Sequence, residues 1–242
     1  MTGTITIILI NLVIALAEFL IAGATLLSNP KSRENRAISF LLALFGTASL
    51  SIGLVAGALS GEEKLPWFLV QSGSIYSISA VTFYVSLVIL RPSMANKKWI
   101  SIPTWIFILL PIAAVAVDSM AITQPLFISI QDVIKQSSDY ISINTVAKGS
   151  LFHIIRNSLI GFSMLSMLYP ALWVAIKDRK TSPSNSRFAW MIFTASIIAY
   201  ISGTYLPPSI PRYIPPLISN TAFALGFTYI GFTKTDRRLD LS

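Results

Sequence analysis

The sequence predicts an all-α membrane protein, a bundle of seven transmembrane helices with its N-terminus outside and its C-terminus in the cytoplasm. Three observations predict it. Of the 242 residues, 54% are hydrophobic and 12% charged, where soluble domains carry about 25% charged residues. The apolar residues fall into seven runs, each near the roughly 20 residues a helix needs to cross about 30 Å of hydrocarbon. Lys and Arg gather in alternate connections, the asymmetry that orients membrane helices.

The first run, Thr4 to Leu27, has no Lys or Arg ahead of it. It therefore lacks the basic segment of a cleavable signal peptide and is expected to be a retained helix. The second run, Ala37 to Leu59, follows the connection Ser28 to Arg36. Gly53, Gly57 and Gly61 repeat along it at four-residue spacing, a small-residue stripe that admits a close helix backbone, either within the bundle or at a homodimer face. Pro66 to Leu90 forms the third run and Trp99 to Val117 the fourth, where Pro103 and Pro111 are kink sites.

The outer connection Asp118 to Ser150 is the one long loop. Leu126 to Ile134 alternates loosely and Tyr140 to Asn144 alternates apolar with polar residues, so a short hairpin and an interfacial helix are both open there. Leu151 to Ile176 is the fifth run, with Pro170 inside it, and Phe188 to Leu206 the sixth. Pro207, Pro208, Pro211, Pro215 and Pro216 stiffen the turn into the seventh run, Tyr213 to Phe232. Residues 1–232 thus make one transmembrane domain, and 233–242 a cytoplasmic tail. No separate soluble domain is expected.

Thirteen Lys and Arg lie in the first, third and fifth connections and the tail, against four in the other connections, with Arg156 inside the fifth helix. That bias follows the alternation through every crossing and predicts a cytoplasmic C-terminus. The tryptophans, with Tyr76, Tyr205 and Tyr213, fall where interfacial belts are expected.

The formal charge of +8 is spread between apolar runs rather than over a soluble patch, so it orients the chain in a membrane and implies no nucleic-acid partner. With no cysteine and one histidine, disulfides, iron–sulfur clusters and protein-built transition-metal centres are not expected. No cofactor is expected. Retinal would need a lysine within a helix, whereas Lys234 lies beyond the seventh; an aspartyl intramembrane protease would need two aspartates within the helices, which have none. No phosphate loop and no nucleophile–base pair is visible, so the chain is expected not to be an enzyme.

Ionisable groups inside a spanning helix cost about 2.5 to 3.5 kcal/mol on insertion scales and face the bundle interior or a cavity. Glu18 and Arg156 are such groups. A rise of 1.5 Å per residue sets Glu18 about 21 Å below Thr4 and Arg156 about 8 Å below Leu151, which argues against direct contact. Glu18 is either a protonated or hydrogen-bonded packing residue, or part of a ligand, ion or proton site. Around the depth of Arg156 lie Asn157, His153, Asn11, Gln71, Tyr200 and Asn220. Polar groups from several helices at one level form either an outward-facing binding pocket or a set of interfacial and interhelical ties. These eight residues are the candidate ligand-binding set.

The segments Asn29 to Arg36, Phe83-Tyr-Val-Ser-Leu87, the proline-rich entry to the seventh helix, Phe227 to Phe232 and Arg238 to Leu241 together resemble the seven-helix N-terminal membrane region of bacterial and archaeal histidine kinases. The resemblance covers nearly the whole chain. It implies a sensor module in a prokaryotic cytoplasmic membrane, passing a helix shift to a cytoplasmic output domain or partner. The chain departs from the family in lacking a cytoplasmic phospho-acceptor histidine and a nucleotide-binding domain, since His153 falls on the outer side by the charge rule. The leading expectation is a receptor-like module that binds a small or lipidic ligand in the outer half of the bundle. The alternatives are a non-catalytic subunit scaffolding a membrane complex, and a small transporter or proton pathway through Glu18.

Overall fold

A computed structural model of the chain describes residues 2–59, 61–120 and 171–205. Those residues are helical with no strand among them. The helices are α1 (Thr2–Ser28), α2 (Arg33–Gly57), α3 (Gly61–Leu90), the single turn α4 (Pro92–Ala95), α5 (Lys98–Met120) and α6 (Pro183–Tyr205). A helical stretch over 171–177 precedes α6. The 121–170 part of the loop and fifth run, the proline-rich turn, the seventh run and the tail lie outside the described residues.

α1 and α2 are each long and apolar enough to cross a membrane. They form an antiparallel pair around a tight turn. Ser32 caps α2, its hydroxyl accepting from the Asn35 amide, and the Asn29 carboxamide oxygen accepts from the Ser32 amide at 3.1 Å. Asn35 in turn closes α1: its side-chain amide donates to the Thr25 carbonyl and to the Ser28 hydroxyl, both at 3.0 Å. A helix end has carbonyls without intrahelical partners, and here the next helix supplies one.

Several helices start earlier than their apolar runs. α2 begins at Arg33 rather than Ala37, α3 at Gly61 rather than Pro66, and α6 at Pro183 rather than Phe188. Hydropathy marks the depth of lipid, whereas the helix continues wherever its first amides find acceptors. At α3 the Glu63 carboxylate accepts from the Leu59 amide at 3.0 Å, on the helix end that favours negative charge. α5 passes through Pro103 and Pro111 as one continuous helix.

α2 and α3 are central. α2 lies between α1 and α3, and α3 also meets α4 and α5. Only 28% of the apolar window of α1 is buried against 67% for α2, so α1 is peripheral. Its distribution of residues is the reverse of a soluble helix. The face turned to α2 carries Asn11, Ala15, Glu18, Ala22 and Thr25, all buried, while Val13, Leu16, Leu20 and Leu27 are between 61% and 81% exposed. Small and polar residues inside with large aliphatics outside is compatible with a helix that faces hydrocarbon.

The apolar core sits toward one end. Leu41, Leu42 and Phe45 of α2 meet Val81, Val85 and Ile89 of α3, Ile108 of α5, Ala175, and Phe188 and Ile192 of α6. The same end, the basic end, holds the turns at 29–32, 91–97 and 178–182. Buried hydroxyls in this half are satisfied by backbone: Ser39 donates to the Ala22 carbonyl at 2.8 Å and Ser186 to that of Ala175 at 2.6 Å.

Candidate binding site in a buried polar layer

Away from the basic end the interior changes character. Glu18, Ser49, Gln71, Ser74 and Ser77 are buried there, with Asn11 one to two turns further out. The level is set by geometry. Ile8 of α1 reaches Gly57 at the top of α2, and Glu18 follows Ile8 by ten residues, about 15 Å. Ser49 lies about 12 Å below Gly57, and Gln71 about 15 Å below Gly61. Three neighbouring helices therefore place polar side chains at one depth.

Glu18 is 3% exposed. Its Oε2 accepts from the Ser49 hydroxyl at 2.9 Å, and its Oε1 has no partner among the described residues. Gln71 is wholly buried, and neither its Oε1 nor its Nε2 has a partner among the described residues. Close by, Ser77 donates to the Ile108 carbonyl at 2.9 Å, tying α3 to α5. Asn11 packs against Gly53: a Cβ at that glycine would lie 3.4 Å from the Asn11 Cβ and 3.5 Å from the Ile8 carbonyl oxygen. Gly57 likewise meets Ile8, and Gly46 meets the Phe19 ring. The small residues of α2 thus face α1 of the same chain, and Gly61 is the first residue of α3.

Of the eight candidate residues, the structure brings Glu18 and Gln71 to one level and sets Asn11 above them. Tyr200 lies in α6, its side chain outside the described set. Arg156, Asn157, His153 and Asn220 lie outside the described residues. Ser49 was missed by sequence reasoning. Its signal was present in the four-residue spacing Ser49, Gly53, Gly57, which extends the glycine stripe by one polar member.

The layer offers a carboxyl oxygen, an amide donor and an amide acceptor. A buried polar group without a partner costs about 1 to 3 kcal/mol, so three such atoms at one depth call for a complementary partner. They can hydrogen-bond a polar group or line its path. Among the described residues no three of His, Cys, Asp and Glu stand together.

The class that fold and site define is a protein whose described residues form helices and no strand, with two membrane-length N-terminal helices and a buried polar layer. Comparison of the sequence with protein-family models and with curated proteins finds no match.

Proposed function

We propose that the chain is a multi-pass, receptor-like sensor module of a prokaryotic cytoplasmic membrane. It crosses the bilayer seven times with its N-terminus outside, and binds a small or lipidic ligand in the outer half of the bundle. The bound ligand shifts the later helices, and the shift passes to a cytoplasmic output domain or partner. One observation carries the reading: Gln71 is fully buried with both amide atoms unpartnered among the described residues, at the level where Glu18 also keeps a free oxygen. The resemblance to kinase sensor regions and the exposed aliphatic face of α1 support it. A ligand transmits a signal only if it binds the two helix arrangements with different affinity.

The test is a thermal-shift screen of polar and lipidic small molecules on the purified protein, run with wild type, Gln71→Leu and Arg156→Ala. A compound that raises the Tm of wild type should lose its effect in Gln71→Leu. Without compound, Gln71→Leu should be as stable as wild type or more so, because it removes an unpaired buried amide. If Gln71→Leu instead loses about 1 to 3 kcal/mol and no compound acts, Gln71 is paired within the chain and the site is structural.

A further inference from the structure

The basic end carries a second feature, separate from the polar layer. Two turns distant in sequence are pinned together there by Arg33, the first residue of α2. Its guanidinium donates to the Asn96 carboxamide oxygen, to the Ala95 carbonyl at 3.2 Å and to the Tyr84 hydroxyl at 3.1 and 3.2 Å. The Tyr84 ring lies 5.6 Å from the same group. This brings the 29–32 turn, which carries Lys31, toward the 95–98 turn, which carries Lys97 and Lys98. All three lysines are exposed. None of the three takes part in the Arg91–Asp178 ion pair at this end.

Directly beyond Lys98, α5 presents an apolar stripe. Trp99 is 69% exposed, and Ile102, Ile106 and Leu109 are each 54% or 55% exposed. Spacings of three and four residues put them on one face of the helix, and the stripe extends about 15 Å from the lysines. Cations at one end of an exposed aliphatic track, with a tryptophan at the junction, match the chemistry of a phospholipid: an anionic headgroup, an interface and acyl chains.

We propose that Lys31, Lys97 and Lys98 hold the headgroup of an anionic phospholipid whose acyl chains lie along Trp99, Ile102, Ile106 and Leu109. The net negative headgroup is selected over phosphatidylcholine because choline brings a compensating cation toward the three ammonium groups. Arg33 is the positioning residue, since its bonds to Asn96 and Ala95 hold the two lysine-bearing turns together. The inference rests on the membrane-embedded part of the proposed function and is independent of the ligand at Gln71.

The full chain in nanodiscs of phosphatidylcholine, with and without phosphatidylglycerol, tests it, reading retained lipid by native mass spectrometry. Wild type should retain phosphatidylglycerol in preference to phosphatidylcholine. Lys97→Gln/Lys98→Gln should lower that preference roughly tenfold or more, given the attraction each cation near the surface contributes, while Lys97→Arg/Lys98→Arg should keep it. Helicity and monodispersity confirm that the variants fold. Equal retention of both lipids by wild type, or an undiminished preference in the Gln variant, would overturn the proposal. So would inorganic phosphate in phosphatidylcholine discs raising the Tm as much as phosphatidylglycerol does, since the ligand would then be a free anion. Failure to insert into any disc would instead sink the membrane reading itself.

Discussion

The Ser49 hydroxyl donates to Glu18 Oε2 at 2.9 Å, joining α1 to α2 in the buried interior. Neither residue is near the other in sequence, and the contact exists because Gly46, Gly53 and Gly57 on the same stretch of α2 let α1 come close. A carboxyl group placed among aliphatic helices is tolerated only where such donors reach it.

Ser49→Ala should therefore weaken the α1–α2 pair. Interhelical hydrogen bonds between membrane helices contribute about 0.6 to 1.7 kcal/mol, and a loss in that range is expected on unfolding the protein in mixed micelles. Glu18→Gln keeps an acceptor for Ser49 and should cost less than Glu18→Leu, which removes it. Equal losses for Gln and Leu would show that the hydroxyl contact contributes nothing.

Two glycines should respond in opposite directions. Gly53→Val forces a branched side chain into the space held by Asn11 and the Ile8 carbonyl, and overpacking of this kind costs about 1 to 3 kcal/mol. Gly23, inside α1 five residues before its end at Ser28, has nothing within 4 Å of an added Cβ. Gly23→Ala should be neutral or stabilising by about 0.5 to 1 kcal/mol. Thermal denaturation of the two variants side by side checks both.

Arg33 should not tolerate lysine. The guanidinium reaches Tyr84, Ala95 and Asn96 together, and a single ammonium cannot reproduce that planar fork. Arg33→Lys is expected to cost about as much as Arg33→Gln, and Tyr84→Phe to cost roughly 1 kcal/mol for the lost hydroxyl. Full retention of stability in Arg33→Lys would mean that charge alone matters there.

The ion pair between Arg91 and Asp178, at 3.1 Å, is partly exposed, with side-chain exposures of 34% and 13%. Solvent screening should hold its coupling to about 1 kcal/mol or less. A double-mutant cycle of Arg91→Ala and Asp178→Ala, repeated at high salt, should show that coupling shrink. A salt-independent coupling would place the pair in a drier setting.

Topology is open to direct chemistry because the chain has no cysteine. Single cysteines introduced at Lys97 and Lys180 should react with an impermeant thiol reagent from the cytoplasmic side only, and one at Leu59 from the outside only. Labelling of Lys97→Cys and Leu59→Cys from the same face would overturn the proposed threading.

The helical class of the described residues was legible because runs of about 20 apolar residues match the length of a helix that spans hydrocarbon, and a helix satisfies its backbone groups internally. Helix beginnings were less legible. The starts of α2 and α3 depend on Ser32 and Glu63 meeting particular amides, and hydropathy does not register such bonds. Within the site, Glu18 announced itself by its cost in an apolar run, and Gln71 and Asn11 as polar residues in apolar runs; the sequence set those two at one depth, whereas the structure sets Gln71 level with Glu18 and Asn11 one to two turns further out. Ser49 carried only the faint signal of its place in the glycine spacing, because serine is common in membrane helices and nothing in its own neighbourhood points at a carboxyl group one helix away.

By itself the sequence determined that these segments are helices and that two of them have the length and composition to cross a membrane, since both properties are local sums over consecutive residues. Only the tertiary structure decided which face of each helix is inside. It turned the small and polar side of α1 inward and the leucines outward, paired Ser49 with Glu18, and drew the 29–32 and 95–98 turns together through Arg33. These depend on how closely two backbones can approach and which side chains are then within hydrogen-bond reach, and neither is a property of any one segment of chain.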